Sequence, residues 1–106
     1  MSKFRFHSNP SHSIGIELEM GIVDAESYGL ASRSDELLAS LPDYVAESCK
    51  HELIQSCIEV ISGVCQNADE AREELSVKLR SMQQSAETLG LGLWWGATQP
   101  FSHWQD

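Results

Sequence analysis

The sequence predicts an α+β fold in which an antiparallel sheet carries two helices on one face. Three observations predict this class: an alternating apolar segment at residues 13–23, an amphipathic segment at residues 67–89, and short apolar runs between turn residues. In chain order these give β-α-β-β-α-β, the split βαβ pattern of a two-layer domain. With 106 residues, the chain has the length of one domain at most.

The first strand is predicted from "SIGIELEMGIV", which begins at Ser13 and ends at Val23. Successive side chains of a strand point to opposite faces of the sheet, so one parity is expected to face the helices. That parity holds Ile14, Ile16, Leu18, Met20 and Ile22. The other parity places Glu17 and Glu19 on the open face, where like charges repel. Either water solvates both carboxylates, or a divalent cation lies between them.

The middle of the chain predicts a short helix followed by two strands. "SRSDELLASLP" begins at Ser32 and is typical of a helix with a Ser or Asp cap that stops at Pro42. "CKHEL" and "SCIEVISGV" are rich in β-branched and apolar residues and break at Gly63, as strands do before a turn.

The clearest helix is predicted over residues 67–89, where apolar side chains recur at steps of three or four. Asn67 can cap it, and Glu70 stands three residues later in the position of a capping box. Gly90 follows where a left-handed residue commonly ends a helix. "LGLWW" then predicts a last strand before the turn-rich end of the chain.

The charge balance argues against some classes of partner. Seven basic residues stand against sixteen acidic ones, for a net charge of -9. So few Lys and Arg residues cannot assemble a basic patch, which argues against nucleic acid or an anionic membrane as the main partner. No apolar run has membrane-spanning length, and the first residues lack the apolar core of a signal peptide. We therefore expect a cytoplasmic protein that recruits cations.

The three cysteines, Cys49, Cys57 and Cys65, are odd in number and spaced by eight residues. This spacing matches no common zinc pattern. We expect reduced, mostly buried thiols and no structural disulfide.

Two further carboxylates, Glu52 and Glu59, lie in or beside the predicted middle strands. A spacing of seven would place them on opposite faces of one unbroken strand, so a bend around Gln55 and Ser56 is needed if both are to reach one site. Four carboxylates on a sheet floor would bind Mg²⁺ or Mn²⁺ with substrate phosphates as further ligands. The alternative is a set of solvated surface glutamates.

Three segments carry a family resemblance. "IGIELEM", "HELIQSCIEVISGVC" and "GLWWGATQPFSHWQD" resemble, in that order, the N-terminal part of the type 2 glutamate–cysteine ligase family of ATP-dependent carboxylate–amine ligases. The resemblance implies a glutamine-synthetase-like catalytic fold. It also implies that ATP and magnesium are used to join an amino-acid carboxylate, such as that of glutamate, to an amine, such as that of cysteine, through an acyl phosphate.

The resemblance also assigns residues. Glu17, Glu19, Glu52 and Glu59 match the acidic positions that hold Mg²⁺, or Mn²⁺ in its place. Thr98 and Gln99 fall in the substrate-binding closing loop, which usually reads Gly-Thr-His-Pro-Phe in the family and here reads "ATQPF". A neutral amide at Gln99 can hydrogen-bond but cannot become cationic.

Family members continue well beyond this match, so residues 1–106 are expected to form a single partial domain, inactive as this truncated chain. A non-catalytic α+β binding or oligomerisation module is the alternative, and a homo-oligomer is compatible with either. Trp94, Trp95 and Trp104 could line a pocket near the closing loop or serve as core packing. His51 could be a ligand or a hydrogen-bonded neighbour of the site.

Overall fold

The sheet forms around the apolar alternation near the start of the chain. The computed structural model describes residues 4–5 and 8–103. Its elements are β1 (Glu17–Asp24), α1 (Ser34–Ser40), α2 (Asp43–Ala46), β2 (Cys49–His51), β3 (Cys57–Ile61), α3 (Ala68–Thr88) and β4 (Leu91–Trp94). The four strands lie in the order β2-β3-β1-β4, and every neighbouring pair is antiparallel. The predicted α+β class is confirmed.

The structure contains one helix, α2, that the sequence did not predict. Pro42 ends α1 as expected, but its carbonyl also accepts hydrogen bonds from the N–H groups of Val45 and Ala46 and so starts a second helical turn. Val45 is fully buried, and this burial holds so short a helix in place.

The core lies between one face of the sheet and the helices. Met20 and Ile22 of β1 are buried there beside Ile58 and Val60 of β3. The helices contribute Leu37, Val45, Leu75, Met82 and Ala86. Each large side chain that is fully buried contributes about 1.5–3 kcal/mol, so the parity of β1 is strongly determined. The prediction that the helices cover one face is confirmed, and the carboxylates of β1 are left on the other.

The start of the first strand differs from the prediction. β1 begins at Glu17 rather than Ser13, and Ile14 forms only an isolated bridge with Cys65. Glu17 pairs with Ile61, and Ile14 pairs with Cys65. These two pairs are three residues apart on the first segment but four residues apart on its partner, so the partner segment contains a bulge. Ser62 Oγ accepts the Ile16 N–H at 2.9 Å in place of a regular ladder bond. Ile14 is therefore 40% exposed instead of buried.

The predicted N-cap is found for α3 but not for α1. Asn67 caps α3 by accepting the Glu70 N–H at 2.9 Å, and Gly90 follows the helix with a φ of +72°. The cap predicted for α1 is wrong: Arg33 holds the N-cap position without a side-chain hydrogen bond. Ser34 does not cap because its buried hydroxyl donates to Gln55 Oε1 at 2.8 Å.

A partly buried ion pair, which we term the Glu74 clamp, ties α3 to the end of β3. Glu74 Oε1 accepts hydrogen bonds from Lys78 Nζ at 2.6 Å and from the Gly63 N–H at 2.7 Å. Lys78 Nζ also donates to the Ile61 carbonyl at 3.1 Å. The bond from Lys78, followed by that from Gly63, lowers the pKa of Glu74 to about 2.

Among the described residues, none of the helices is both long and apolar enough to cross a membrane. Cys49, Cys57 and Cys65 are all free thiols, as expected; Cys49 and Cys65 are buried, and Cys57 is half-buried. Burial raises the pKa of the Cys49 thiol to about 11, which keeps it neutral.

Candidate functional site

Three carboxylates converge on the open face of the sheet. Glu19, Glu52 and Glu59 each offer an oxygen, and these three oxygens all lie within 4.8 Å of one another. Glu19 of β1 stands directly opposite Glu59 of β3, so the two share a face of the sheet. Glu19 is exposed, whereas Glu52 and Glu59 are half-buried. We call this group the acidic cluster.

Glu52 reaches the acidic cluster because the chain breaks between β2 and β3. A turn closed by the Cys57 N–H on the Ile54 carbonyl occupies this break, as the sequence predicted around Gln55 and Ser56. The Gln55 carbonyl accepts the Ser34 N–H at 3.0 Å, and the Ser56 carbonyl accepts the Ile22 N–H at 2.7 Å. The loop is thus held to both α1 and β1, with Glu52 at its start.

Glu17 lies outside the acidic cluster. It shares the strand and the face of Glu19 but stands opposite Ile61, in a separate depression beside Ser62. Residues two apart on a strand are separated by about 6.6 Å, which exceeds the spacing within the cluster. The structure thus brings together three of the four predicted carboxylates.

Lys50 is a neighbour that sequence reasoning missed. It stands opposite Glu59 in the pairing of β2 with β3 and therefore lies on the same face. One exposed cation cannot offset three carboxylates. Two unit charges about 4 Å apart repel by about 1 kcal/mol in bulk water and by about 4 kcal/mol at an effective dielectric constant of 20. The position of Lys50 beside Glu59 depends on the register between β2 and β3, which the sequence alone does not give.

A cleft of about 690 Å³ opens beside the acidic cluster. Its lining includes Glu19, Glu52 and Cys57 together with the segment from Trp94 to Gln99. Of the two positions left open for the tryptophans, pocket lining or core packing, Trp94 and Trp95 line this cleft, whereas Trp104 lies outside the described residues. Thr98 and Gln99 line the same cleft, so the closing loop faces two of the predicted carboxylates.

Two glycines make room for the indole of Trp94. Gly21 stands opposite Trp94 in the sheet, and a Cβ at Gly21 would lie 3.3 Å from Trp94 Cβ. A Cβ at Gly96 would lie 2.6 Å from Trp94 Nε1, closer than real Cβ atoms approach. The aromatic wall of the cleft therefore depends on the absence of a side chain at Gly96.

The amide of Gln99 is occupied in holding the closing loop. Its Nε2 donates to the Tyr28 carbonyl at 2.8 Å, and its Oε1 accepts the N–H groups of Phe101 at 2.9 Å and Ser102 at 2.6 Å. Ser102 Oγ in turn accepts the Leu30 N–H at 2.9 Å. The neutral amide thus supplies donor and acceptor at once and fastens this loop to the segment after β1.

Cys57 and His51 differ in their relation to the acidic cluster. Burial raises the pKa of the Cys57 thiol, and the charges of Glu52 and Glu19 raise it further, so the thiol in the cleft stays neutral. His51 is not a member of the acidic cluster, although it directly precedes Glu52, and its role as a ligand or a hydrogen-bonded neighbour of the site stays a prediction. The imidazole is turned toward α1, where Nδ1 lies 3.4 Å from both Ser34 Oγ and Asp35 Oδ1. The alternation of β2 explains this, because His51 and Lys50 point to opposite faces.

A family model and several curated proteins match this chain. The model of glutamate-cysteine ligase family 2 matches residues 13–106. A protein of Thermobifida fusca named "Putative glutamate--cysteine ligase 2" is 38% identical over 104 residues, covering 92% of this chain and 26% of that protein. Proteins of the same name from Salmonella newport and Salmonella enteritidis PT4 are each 35% identical over 101 residues, covering 94% of this chain and 27% of theirs. The chain therefore spans about a quarter of the length of these curated relatives.

Proposed function

The chain belongs to glutamate-cysteine ligase family 2, and on this premise we propose that it is the metal-holding part of an ATP-dependent carboxylate–amine ligase. The proposed substrates are ATP, an amino-acid carboxylate such as that of glutamate, and an amine such as that of cysteine. Mg²⁺ or Mn²⁺ is the proposed cofactor. Glu19, Glu52 and Glu59 are the proposed ligands, with Glu17 as a further ligand from the neighbouring depression.

The acidic cluster is the single observation that supports this proposal best. Mg²⁺ holds oxygen ligands at about 2.1 Å, so neighbouring ligands of its octahedron lie about 3 Å apart and opposite ones about 4.2 Å apart. Three oxygens within 4.8 Å of one another can meet these distances after small side-chain rotations. The donor set, which consists of carboxylate oxygens alone, suits a hard divalent cation.

The proposed reaction brings several anions together. The substrate carboxylate attacks the γ-phosphorus of ATP, ADP leaves, and the amine then attacks the acyl carbon while phosphate leaves and the amine loses a proton. A bound divalent cation would offset the repulsion between the phosphates and the carboxylate. Glu19 and Glu59 project from paired strands, so they would hold their ligand atoms in fixed positions. Trp94 and Trp95 would limit the access of water to the acyl phosphate, which water would otherwise hydrolyse.

Binding of Mn²⁺ to the isolated chain tests the metal part of the proposal. Mn²⁺ free in solution gives an electron paramagnetic resonance signal that falls on binding, so titration yields stoichiometry and affinity. We expect the double variant Glu19→Gln with Glu59→Gln to bind at least tenfold more weakly than the wild type. Glu73→Gln, which removes an exposed charge from α3, is the matched control and should bind as the wild type does. Equal affinity in all three proteins would contradict the assignment.

Release of phosphate from ATP tests the ligase part. We expect no turnover that depends on glutamate and cysteine from the isolated chain, because catalysis needs donor, acceptor and metal in near-attack geometry. A protein in which this chain replaces the matched region of the Thermobifida fusca relative should turn over. A folded but inactive replacement protein would favour the non-catalytic binding module, and Gln99→His in that protein would show whether the closing loop is at fault.

A further inference from the structure

A single side chain, that of Gln99, makes three hydrogen bonds that hold the closing loop, residues 96–102. Its Nε2 reaches across to the Tyr28 carbonyl, and its Oε1 accepts the N–H groups of Phe101 and Ser102. Ser102 is also the residue whose hydroxyl accepts the Leu30 N–H, so Gln99 helps to position this second attachment of the loop. One amide therefore contributes to both attachments.

Tyr28 offers the Gln99 amide a fixed acceptor. The Tyr28 N–H donates to the Asp24 carbonyl at 2.9 Å, and the Asp24 N–H donates to the Gly29 carbonyl at 2.8 Å. Tyr28 has a φ of 60°, a left-handed conformation that a large side chain keeps only where the surrounding contacts impose it. Since this turn is closed by its own hydrogen bonds, breaking the bond to Gln99 would release the loop and not the turn.

The indole of Trp94 shows that the closed position of the loop has an unfavourable side. Trp94 Nε1 is buried and has no hydrogen-bond partner among the described residues. Gly96, the first residue of the loop, covers this nitrogen, because a Cβ at Gly96 would lie 2.6 Å from it. A buried donor without an acceptor is unfavourable, and movement of Gly96 would let water reach it. The loop also buries little apolar surface, since Phe101 is 65% exposed.

We propose that the closing loop is a gate over the cleft, which the bond from Gln99 to Tyr28 keeps shut and which opens while the sheet stays folded. Segments with exposed hydrogen bonds and few buried apolar contacts open locally at a lower free energy than the whole domain. The hinge is the end of β4, where strand pairing stops at Trp94. Opening exposes the indole N–H and gives access to Cys57, which lines the same cleft. The gate rests on contacts within this chain and not on the proposed ligase function.

Hydrogen exchange at the Trp94 indole, followed by nuclear magnetic resonance, tests the gate. We expect Gln99→Ala to speed this exchange about three- to fivefold, because exposed hydrogen bonds are lost. Asn67→Ala, which removes the cap of α3, is the matched control. It should speed exchange at the buried Ile22 amide about fivefold and leave the Trp94 indole unchanged. Equal acceleration of the indole in both variants would overturn the gate, because only global unfolding would then expose it.

Modification of Cys57 by N-ethylmaleimide measures whether the gate controls access to the cleft. Cys57 lines the cleft, whereas Cys49 and Cys65 are buried, and peptide mass spectrometry assigns the label to its cysteine. We expect Gln99→Ala to speed labelling of Cys57 by the same factor as it speeds indole exchange, and Asn67→Ala to leave labelling unchanged. Unchanged labelling in Gln99→Ala would contradict the inference, because Cys57 would then be accessible with the loop closed.

Gln99→Glu separates the bond to Tyr28 from the bonds within the loop. A carboxylate can still accept the N–H groups of Phe101 and Ser102, but it has no proton to donate to the Tyr28 carbonyl. We expect this variant to speed indole exchange at least as much as Gln99→Ala does. Exchange at the wild-type rate in Gln99→Glu would show that the Tyr28 bond does not keep the gate shut.

Discussion

Substitution of Glu74 by glutamine removes the charge of the Glu74 clamp while keeping the side-chain shape. The pKa of Glu74 falls from 4.5 to about 2 in the folded protein. At about 1.4 kcal/mol per pKa unit, this difference corresponds to a ceiling of about 3 kcal/mol of stability at neutral pH. The side chain is 33% exposed, so water screens part of the interaction. We therefore expect Glu74→Gln to lower the free energy of unfolding by roughly 1–2 kcal/mol at pH 7.

The pH dependence of the free energy of unfolding distinguishes the contribution of the Glu74 charge from that of its packing. Because the pKa of Glu74 is lower in the folded state, its contribution is complete above about pH 4.5 and is lost as the pH falls toward 2. Glutamine does not titrate, so the difference in the free energy of unfolding between wild type and Glu74→Gln should become smaller as the pH falls from 4.5 toward 2. Urea unfolding at several pH values between 3 and 7 measures this, with Glu73→Gln as a control that leaves the clamp intact. A difference that is absent at pH 7, or that stays constant with pH, would refute the reasoning.

Three further predictions concern the cleft and its supports. Gly96→Ala should displace the indole of Trp94 and lower the free energy of unfolding by about 1–3 kcal/mol. A changed near-ultraviolet circular dichroism spectrum would report the displacement. Gly15→Ala, where a Cβ meets nothing within 4 Å, should leave that spectrum unchanged. Gln99→Ala should speed hydrogen exchange at residues 96–102 with less than about 1 kcal/mol of global destabilisation, because two of the lost bonds are exposed and the third is only partly buried. Ser34→Ala should weaken Mn²⁺ binding by loosening the loop of Glu52, whereas Ser40→Ala, which removes a hydrogen bond within α1, should not.

The parts of the fold that could be predicted from sequence are those that depend on neighbours along the chain. The alternation through Met20 and Ile22 identifies the buried face because side-chain direction in a strand has a period of two. The cap of α3 follows from the reach of Asn67 to the N–H three residues later. The break between Glu52 and Glu59 follows from the same period once both are expected to reach one site, because one unbroken strand would hold them on opposite faces.

The parts that could not be predicted depend on pairing between distant segments. The bulge at Ser62 arises because its hydroxyl takes the Ile16 N–H, and nothing near Ile14 in the sequence indicates this. The separation of Glu17 from the acidic cluster likewise depends on which residue of β3 stands opposite each glutamate. The face of the sheet on which His51 lies depends on where β2 begins, and sequence patterns place such a boundary only to within a residue or two.

The loop of Glu52 is the movable part of the proposed metal site. Glu19 and Glu59 are fixed by the pairing of β1 with β3, so Glu52, in a loop, is the member of the acidic cluster that can move to relieve the repulsion. A cation that all three share would remove that repulsion and hold the loop in one position.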